Sequence, residues 1–126
     1  KKSMESNLSY HEYDSILIVA QLKDSEQLVG GFNPTSFKEC NPYKDTQNSF
    51  VFYYTNKDDS KTARVSYVEQ KEYAIYYNEE EPGFGRGPDL LCKNSGVWTS
   101  NPESYPSIGI PKRFEIQSYE IFTVYV

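Results

Sequence analysis

With 126 residues the chain has the length of one domain, which is enough to bury about two-thirds of its unfolded surface. Its 18 acidic and 13 basic residues give a net charge of −5. This charge argues against a nucleic-acid partner and against an anionic membrane surface, because both would repel it. The sequence contains no run of about 18 apolar residues, which is the length that predicts a membrane-spanning helix.

The hydrophobic pattern predicts a mainly β fold. Aromatic residues make up 16% of the chain, and β-branched and aromatic residues favour strands. No long stretch shows the apolar period of 3.6 residues that marks an amphipathic helix. Strands are predicted at residues 15–22, 28–32, 49–55, 63–68, 73–77, 89–92 and 113–126. We therefore expect a two-sheet antiparallel β-sandwich with short flanking helical segments.

Several elements carry more specific expectations. The predicted strand at residues 15–22 contains the continuous apolar run 16–20, which predicts a strand buried on both faces. Residues 63–68 and 73–77 are expected to pair across a charged loop, and residues 37–40 to form a short helical turn. The last strand is expected to carry a bulge near Ser118-Tyr119, with one face formed by Phe114, Ile116, Phe122, Val124 and Val126.

The first 14 residues are polar, and the chain begins at Lys1 without a methionine. We interpret residues 1–126 as a single, N-terminally truncated domain, with a polar remnant at 1–14 and the sandwich at 15–126. The single histidine, His11, lies in the polar segment, and no Gly-x-Ser-x-Gly sequence accompanies it. No catalytic residue is therefore assigned.

Two loops contain residue types that bind ligands in other proteins. The glycine-rich residues 83–88 resemble a phosphate loop, but they lack the GxxxxGK[ST] order and no periodic helix follows. Residues 79–81 are three consecutive glutamates without a histidine or aspartate at ligand spacing, which is typical of a solvated charge run. We therefore predict no metal, no cofactor and no small-molecule substrate.

The two cysteines, Cys40 and Cys92, are too few for a disulfide scaffold or a zinc site. We interpret them as reduced thiols, which predicts a cytoplasmic location. They also leave a rival hypothesis open, that of a small thiol-based redox or peroxide-scavenging protein. That hypothesis requires a thiol pKa well below about 8.5.

Six sequence motifs follow one another along residues 15–126. They are an apolar strand leading to Gly30-Gly31-Phe32-Asn33-Pro34, then Asn48-Ser49-Phe50-Val51-Phe52, Tyr73-Ala74-Ile75-Tyr76-Tyr77-Asn78, Gly83-Phe84-Gly85-Arg86-Gly87-Pro88-Asp89-Leu90, Ser104-Tyr105-Pro106-Ser107 and Phe114-Glu115-Ile116-Gln117-Ser118-Tyr119-Glu120-Ile121-Phe122. In this order they resemble the TLDc domain of oxidation-resistance proteins. The chain departs from the family pattern at Phe37, where a tryptophan is usual, and at Arg86 and Pro88, which interrupt a run of glycines.

The resemblance implies a β-sandwich flanked by helices, a role in protection against oxidative stress, and binding to the vacuolar-type proton ATPase. It implies no catalytic centre. It also implies that the protein can be located at organelle membranes through a protein partner. It leaves open whether the motif residues are structural or contact a partner; these are Gly30, Gly31, Asn33, Pro34, Phe84, Gly85, Arg86 and Asp89. A non-enzymatic interaction module is the first hypothesis, with the thiol protein and a purely structural module of a larger protein as alternatives.

Overall fold

The computed structural model describes residues 15–124, and ten antiparallel strands dominate this part of the chain. The polar remnant at 1–14 and His11 lie outside the described residues. Two short 3₁₀ turns occur at Ser60–Thr62 and Lys71–Tyr73. The strands are β1 (Ile16–Leu22), β2 (Leu28–Asn33), β3 (Tyr43–Lys44), β4 (Phe50–Tyr54), β5 (Ala63–Tyr67), β6 (Ile75–Asn78), β7 (Glu81–Phe84), β8 (Leu90–Leu91), β9 (Val97–Thr99) and β10 (Arg113–Thr123).

The strands form one continuous sheet rather than two separate sheets. Their order is β3-β6-β7-β8-β9-β10-β1-β2-β4-β5. The mainly β prediction is confirmed, but the prediction of two sheets is wrong because the long strand β10 belongs to both halves. Residues 113–115 of β10 pair with β9, and residues 116–123 pair with β1. The core lies between the two halves, where the ring of Phe84 from β7 packs on Gly31 of β2.

Strand β1 alternates between a buried and a partly exposed face, so the prediction of burial on both faces is wrong. The side chains that face the core are almost completely buried: Ile16, Ile18, Ala20 and Leu22. Leu17, Val19 and Gln21 lie on the other face with intermediate exposure. A continuous apolar run cannot distinguish these cases, because an apolar residue also occupies a half-exposed face.

A bulge in β10 reverses which side chains face the core. Gln21 pairs with Ser118 and Leu22 with Ile116, so Gln117 is the extra residue. Before the bulge Phe114 is buried, whereas after it Tyr119 is buried and Phe122 is 45% exposed. The predicted bulge is therefore confirmed within one residue, but the prediction of a single face extending to Phe122 is wrong.

The pairing of β5 and β6 differs from the prediction. Strand β5 pairs with β4 alone and ends the sheet, whereas β6 pairs with β3 and β7. Strand β7 lies in a segment that was predicted to be a loop. It forms a hairpin with β6 through a two-residue turn at Glu79 and Glu80, whose φ angles are 52° and 62°. Glutamate rarely adopts a positive φ, so no residue typical of a hairpin turn marks this position.

The helical turn predicted at residues 37–40 is absent; these residues form a non-helical turn. Phe37 is instead a core residue with 1% exposure, and its ring contacts those of Tyr77 and Phe84. Within residues 15–124, no helix is long and apolar enough to span a membrane.

Candidate functional site

The loop between β7 and β8 is organised around the buried carboxylate of Asp89, which is 3% exposed. Its Oδ2 accepts the backbone N–H of Glu103 at 2.7 Å, of Ser104 at 2.9 Å and of Tyr105 at 2.8 Å. Oδ1 accepts the same Ser104 N–H at 3.1 Å. Burial raises the pKa of the Asp89 carboxyl, and backbone hydrogen bonds from Glu103, Tyr105, Ser104 and Gly87 oppose this shift. One carboxylate thus fixes the backbone of two loops.

Ser104 extends this network to a third loop. Its hydroxyl accepts the backbone N–H of Arg86 at 2.9 Å and donates to Gln70 Oε1 at 2.9 Å. The carbonyl of Ser104 accepts the N–H groups of Glu69 and Gln70. Together these bonds tie the β5–β6 connection to the glycine-rich loop.

The glycines of the loop are required by close contacts. Gly85 has a φ of 89°, and a Cβ at this position would lie 2.0 Å from Asp89 Oδ1. A Cβ at Gly87 would lie 1.7 Å from the carbonyl oxygen of Asn101. Both glycines therefore allow an approach that any side chain would block.

The backbone amides of this loop are already engaged, which argues against a phosphate loop. Gly85 donates its N–H to the carbonyl of Ala74 at 3.1 Å, and Arg86 donates to Ser104 Oγ. The Gly87 N–H bonds to the Asp89 carboxylate. An anion would need these donors free.

Tyr105 connects the two halves of the sheet. Its hydroxyl donates to the carbonyl of Ala74 at 2.6 Å and lies 2.7 Å from Ser49 Oγ. Ser49 donates in turn to the carbonyl of Phe32 on β2 at 2.8 Å. Burial raises the pKa of Tyr105, so the hydroxyl remains a neutral donor.

Arg86 is the residue of this loop whose side chain reaches the surface, with 54% exposure. Its Nε lies 3.4 Å from Glu103 Oε2, and its guanidinium lies 5.0 Å from the centroid of the Tyr73 ring. The Tyr43 ring contacts those of Tyr73 and Tyr76 at 5.1 and 5.5 Å. We call these five residues, Tyr43, Tyr73, Tyr76, Arg86 and Glu103, the Arg86 cluster.

The other motif residues named from the sequence lie inside the protein or support its turns. The ring of Phe84 is fully buried, and Gly30 lies beneath the ring of Phe52. Asn33 is fully buried, and its Oδ1 accepts the N–H and hydroxyl of Thr35 at 2.9 and 2.8 Å. The carbonyl of Pro34 accepts the Ser15 hydroxyl at 3.1 Å. Of the predicted site residues, Arg86 is thus the one with an exposed side chain.

Sequence reasoning missed the partners of Arg86 in its cluster. Tyr73 and Glu103 lie 13 and 17 positions from Arg86 in the chain, and no local pattern connects them. The motif Ser104-Tyr105-Pro106-Ser107 did mark the segment beside them, but its contacts with Asp89 exist only in the folded chain.

The cysteines lack the features of reactive thiols. Burial raises the pKa of Cys40 to about 11, with Lys44 opposing the shift, and burial raises the pKa of the fully buried Cys92. Both shifts are opposite in direction to what the thiol-protein hypothesis requires. Among residues 15–124, no three His, Cys, Asp or Glu side chains lie together so that they could hold a metal ion.

The fold and the Arg86 cluster define a class: a mainly β domain in which an arginine on the β7–β8 loop lies beside aromatic rings from β3, β6 and the turn before β6. The family model of the TLDc domain matches residues 1–125. The chain therefore belongs to the TLDc domain family, and the resemblance drawn from its motifs is confirmed. A comparison with curated proteins finds no significant match.

Proposed function

We propose that this chain is a non-enzymatic protein-interaction module. Its partner is the vacuolar-type proton ATPase, whose activity it regulates, and its biological role is protection against oxidative stress. This proposal places the chain in the cytoplasm, at organelle membranes through its partner. Membership of the TLDc family supports the choice of partner and role.

The Arg86 cluster is the observation that carries the proposal. Arginine and tyrosine are the residue types that contribute most to protein interfaces, because they combine large contact area with hydrogen bonding. The cluster rests on a backbone fixed by Asp89 and Ser104, so little conformational entropy is lost when it binds. A rigid, half-exposed arginine beside aromatic rings is suited to a partner surface that offers carboxylates or carbonyls.

The experiment is a binding titration of this chain against purified vacuolar-type ATPase, with ATP hydrolysis and subunit release followed in the same sample. We expect saturable binding and altered hydrolysis. Arg86→Ala should weaken binding by about tenfold or more while leaving the melting temperature nearly unchanged, because its ion pair with Glu103 is exposed. Arg113→Ala is the matched control, since Arg113 is exposed on β10 outside the cluster.

No binding by a folded chain would contradict the choice of partner. Equal loss of binding in Arg86→Ala and Arg113→Ala would contradict the assignment of the cluster, since it would indicate an effect of total charge. A large fall in melting temperature for Arg86→Ala would assign Arg86 to the fold.

A further inference from the structure

We propose that the free edge of β5 pairs with the same edge of a second copy, antiparallel about a twofold axis through Val65. This pairing joins the two sheets into one. The inference concerns a surface separate from the Arg86 cluster and does not depend on the proposed function.

The backbone of β5 offers unpaired hydrogen-bonding groups. The Val68 N–H donates to the Ser49 carbonyl at 3.1 Å, and the register between β4 and β5 is regular. Hydrogen-bonded pairs alternate along an antiparallel ladder, so Arg64 and Ser66 bond to β4 while Val65 and Tyr67 direct their N–H and C=O groups outward. Within residues 15–124, no backbone group of another strand or loop bonds to these outward groups.

The usual protections of an edge strand are absent from β5. It contains no proline and no bulge, and its single charged residue is Arg64. The Arg64 guanidinium donates to the carbonyl of Ile108 at 3.0 Å and lies 6.0 Å from the centroid of the Tyr53 ring. Because these contacts within the chain hold the Arg64 side chain, its charge does not prevent another strand from pairing with β5.

The side chains beside this edge are apolar and exposed. Val65 is 48% and Tyr67 60% exposed, and they are two of the three most exposed large hydrophobic residues in the described part of the chain. They continue the outer face of the sheet, where the Tyr67 ring contacts Phe50 at 5.4 Å. A groove of about 400 Å³ in this face is lined mainly by apolar and aromatic side chains, among them Leu17, Phe50, Phe52 and Val65. Pairing of the two edges would make the two apolar outer faces one continuous face across the dimer.

The sequence around β5 is complementary to itself, which is why the occupant is a second copy. With Val65 on the axis, Ala63 lies opposite Tyr67 of the second copy. Lys61 lies in the 3₁₀ turn just before β5 and Glu69 lies just after β5, so the antiparallel arrangement brings Lys61 of one copy to the same end of the paired strands as Glu69 of the other. Lys61 and Glu69 are both exposed, so two pairs of opposite charges form by symmetry. The Ala63 N–H already bonds to Ser60, which leaves about four backbone hydrogen bonds between the copies.

Sedimentation equilibrium of the chain, over a concentration series extending above about 100 μM, tests the proposal. We expect a monomer–dimer equilibrium. Val65→Pro should abolish the dimer at every concentration, because it removes an outward N–H while leaving the ladder with β4 intact. Its circular dichroism and melting curve report whether the variant is folded.

Charge variants test the register without altering the backbone. Lys61→Glu should weaken dimerisation roughly tenfold, and Lys61→Glu combined with Glu69→Lys should restore it to within about threefold. Arg113→Glu makes the same charge change on β10, which is separated from β5 by three strands of the sheet, and should leave the dimer unchanged. A wild-type chain that stays monomeric, or a double variant that fails to recover, would overturn the proposal.

Discussion

The ring of Phe84 occupies the space that a side chain at Gly31 would need. A Cβ built on Gly31 would lie 2.7 Å from both Cε1 and Cζ of that ring. The two residues lie on β2 and β7, in opposite halves of the sheet, and Phe84 is fully buried. Two sequence motifs separated by about 50 positions therefore meet at one contact, which sets how closely the two halves approach.

Gly31→Ala should destabilise the protein by about 1–3 kcal/mol, because a buried aromatic ring cannot move away at low cost. Urea unfolding measures this change. In the background of Phe84→Leu the same substitution should cost less, so that the double variant loses about 1 kcal/mol less than the sum of the single losses. Strictly additive losses would show that the Phe84 ring does not limit the space at Gly31.

Asp89→Asn should destabilise the protein by about 3 kcal/mol or more. Asparagine keeps the size of the side chain but removes its charge and replaces one acceptor oxygen with a donor, so the bonds from the N–H groups of residues 103–105 lose their charge assistance and the second acceptor of Ser104 is lost. Urea unfolding gives the free energy, and hydrogen exchange should show faster exchange at those three amides. Asp58→Asn, at a side chain that is 73% exposed, should change stability by less than about 0.5 kcal/mol.

Replacement of Glu79-Glu80 by Asn-Gly should stabilise the protein by about 1 kcal/mol, because asparagine and glycine tolerate the positive φ of this turn better than glutamate. The melting temperature should rise. The variant with alanine at both positions removes the same charges but retains a Cβ at each, and it should show no such rise. Equal stabilisation by both variants would attribute the effect to charge rather than to backbone conformation.

Cys40 should react slowly with a thiol reagent in the folded protein. Its pKa is raised by burial from 9.0 to about 11, so at neutral pH its thiolate fraction is about 100-fold smaller than in the unfolded chain. Alkylation followed by mass spectrometry should show a rate that rises about tenfold per pH unit up to about pH 11. The chain unfolded in urea is the control. Rapid alkylation of the folded protein at neutral pH would restore the thiol-protein hypothesis.

The sequence by itself determined the fold class and the family. Strand propensity and the absence of a helical period are local properties, and β1, β2, β4, β5 and β10 lie close to their predicted positions. The order of the motifs was enough to recognise the TLDc domain. Recognition required no contact between distant residues, because each motif is contiguous in the chain.

Tertiary structure alone decided how these strands are joined and what the motif residues do. Strand β10 links the two halves into one sheet, and this pairing depends on partners far apart in sequence. The hairpin at Glu79-Glu80 exists although its residues disfavour the turn, since pairing of β6 with β7 outweighs the local preference.

The same limit applies to the candidate site. Phe84, Arg86 and Asp89 lie within six positions, yet one fills the core, one reaches the surface and one binds three backbone amides. Composition and spacing cannot separate these roles, because each depends on which distant segment packs against the loop. The burial of each side chain determines its role, and burial is a property of the folded chain.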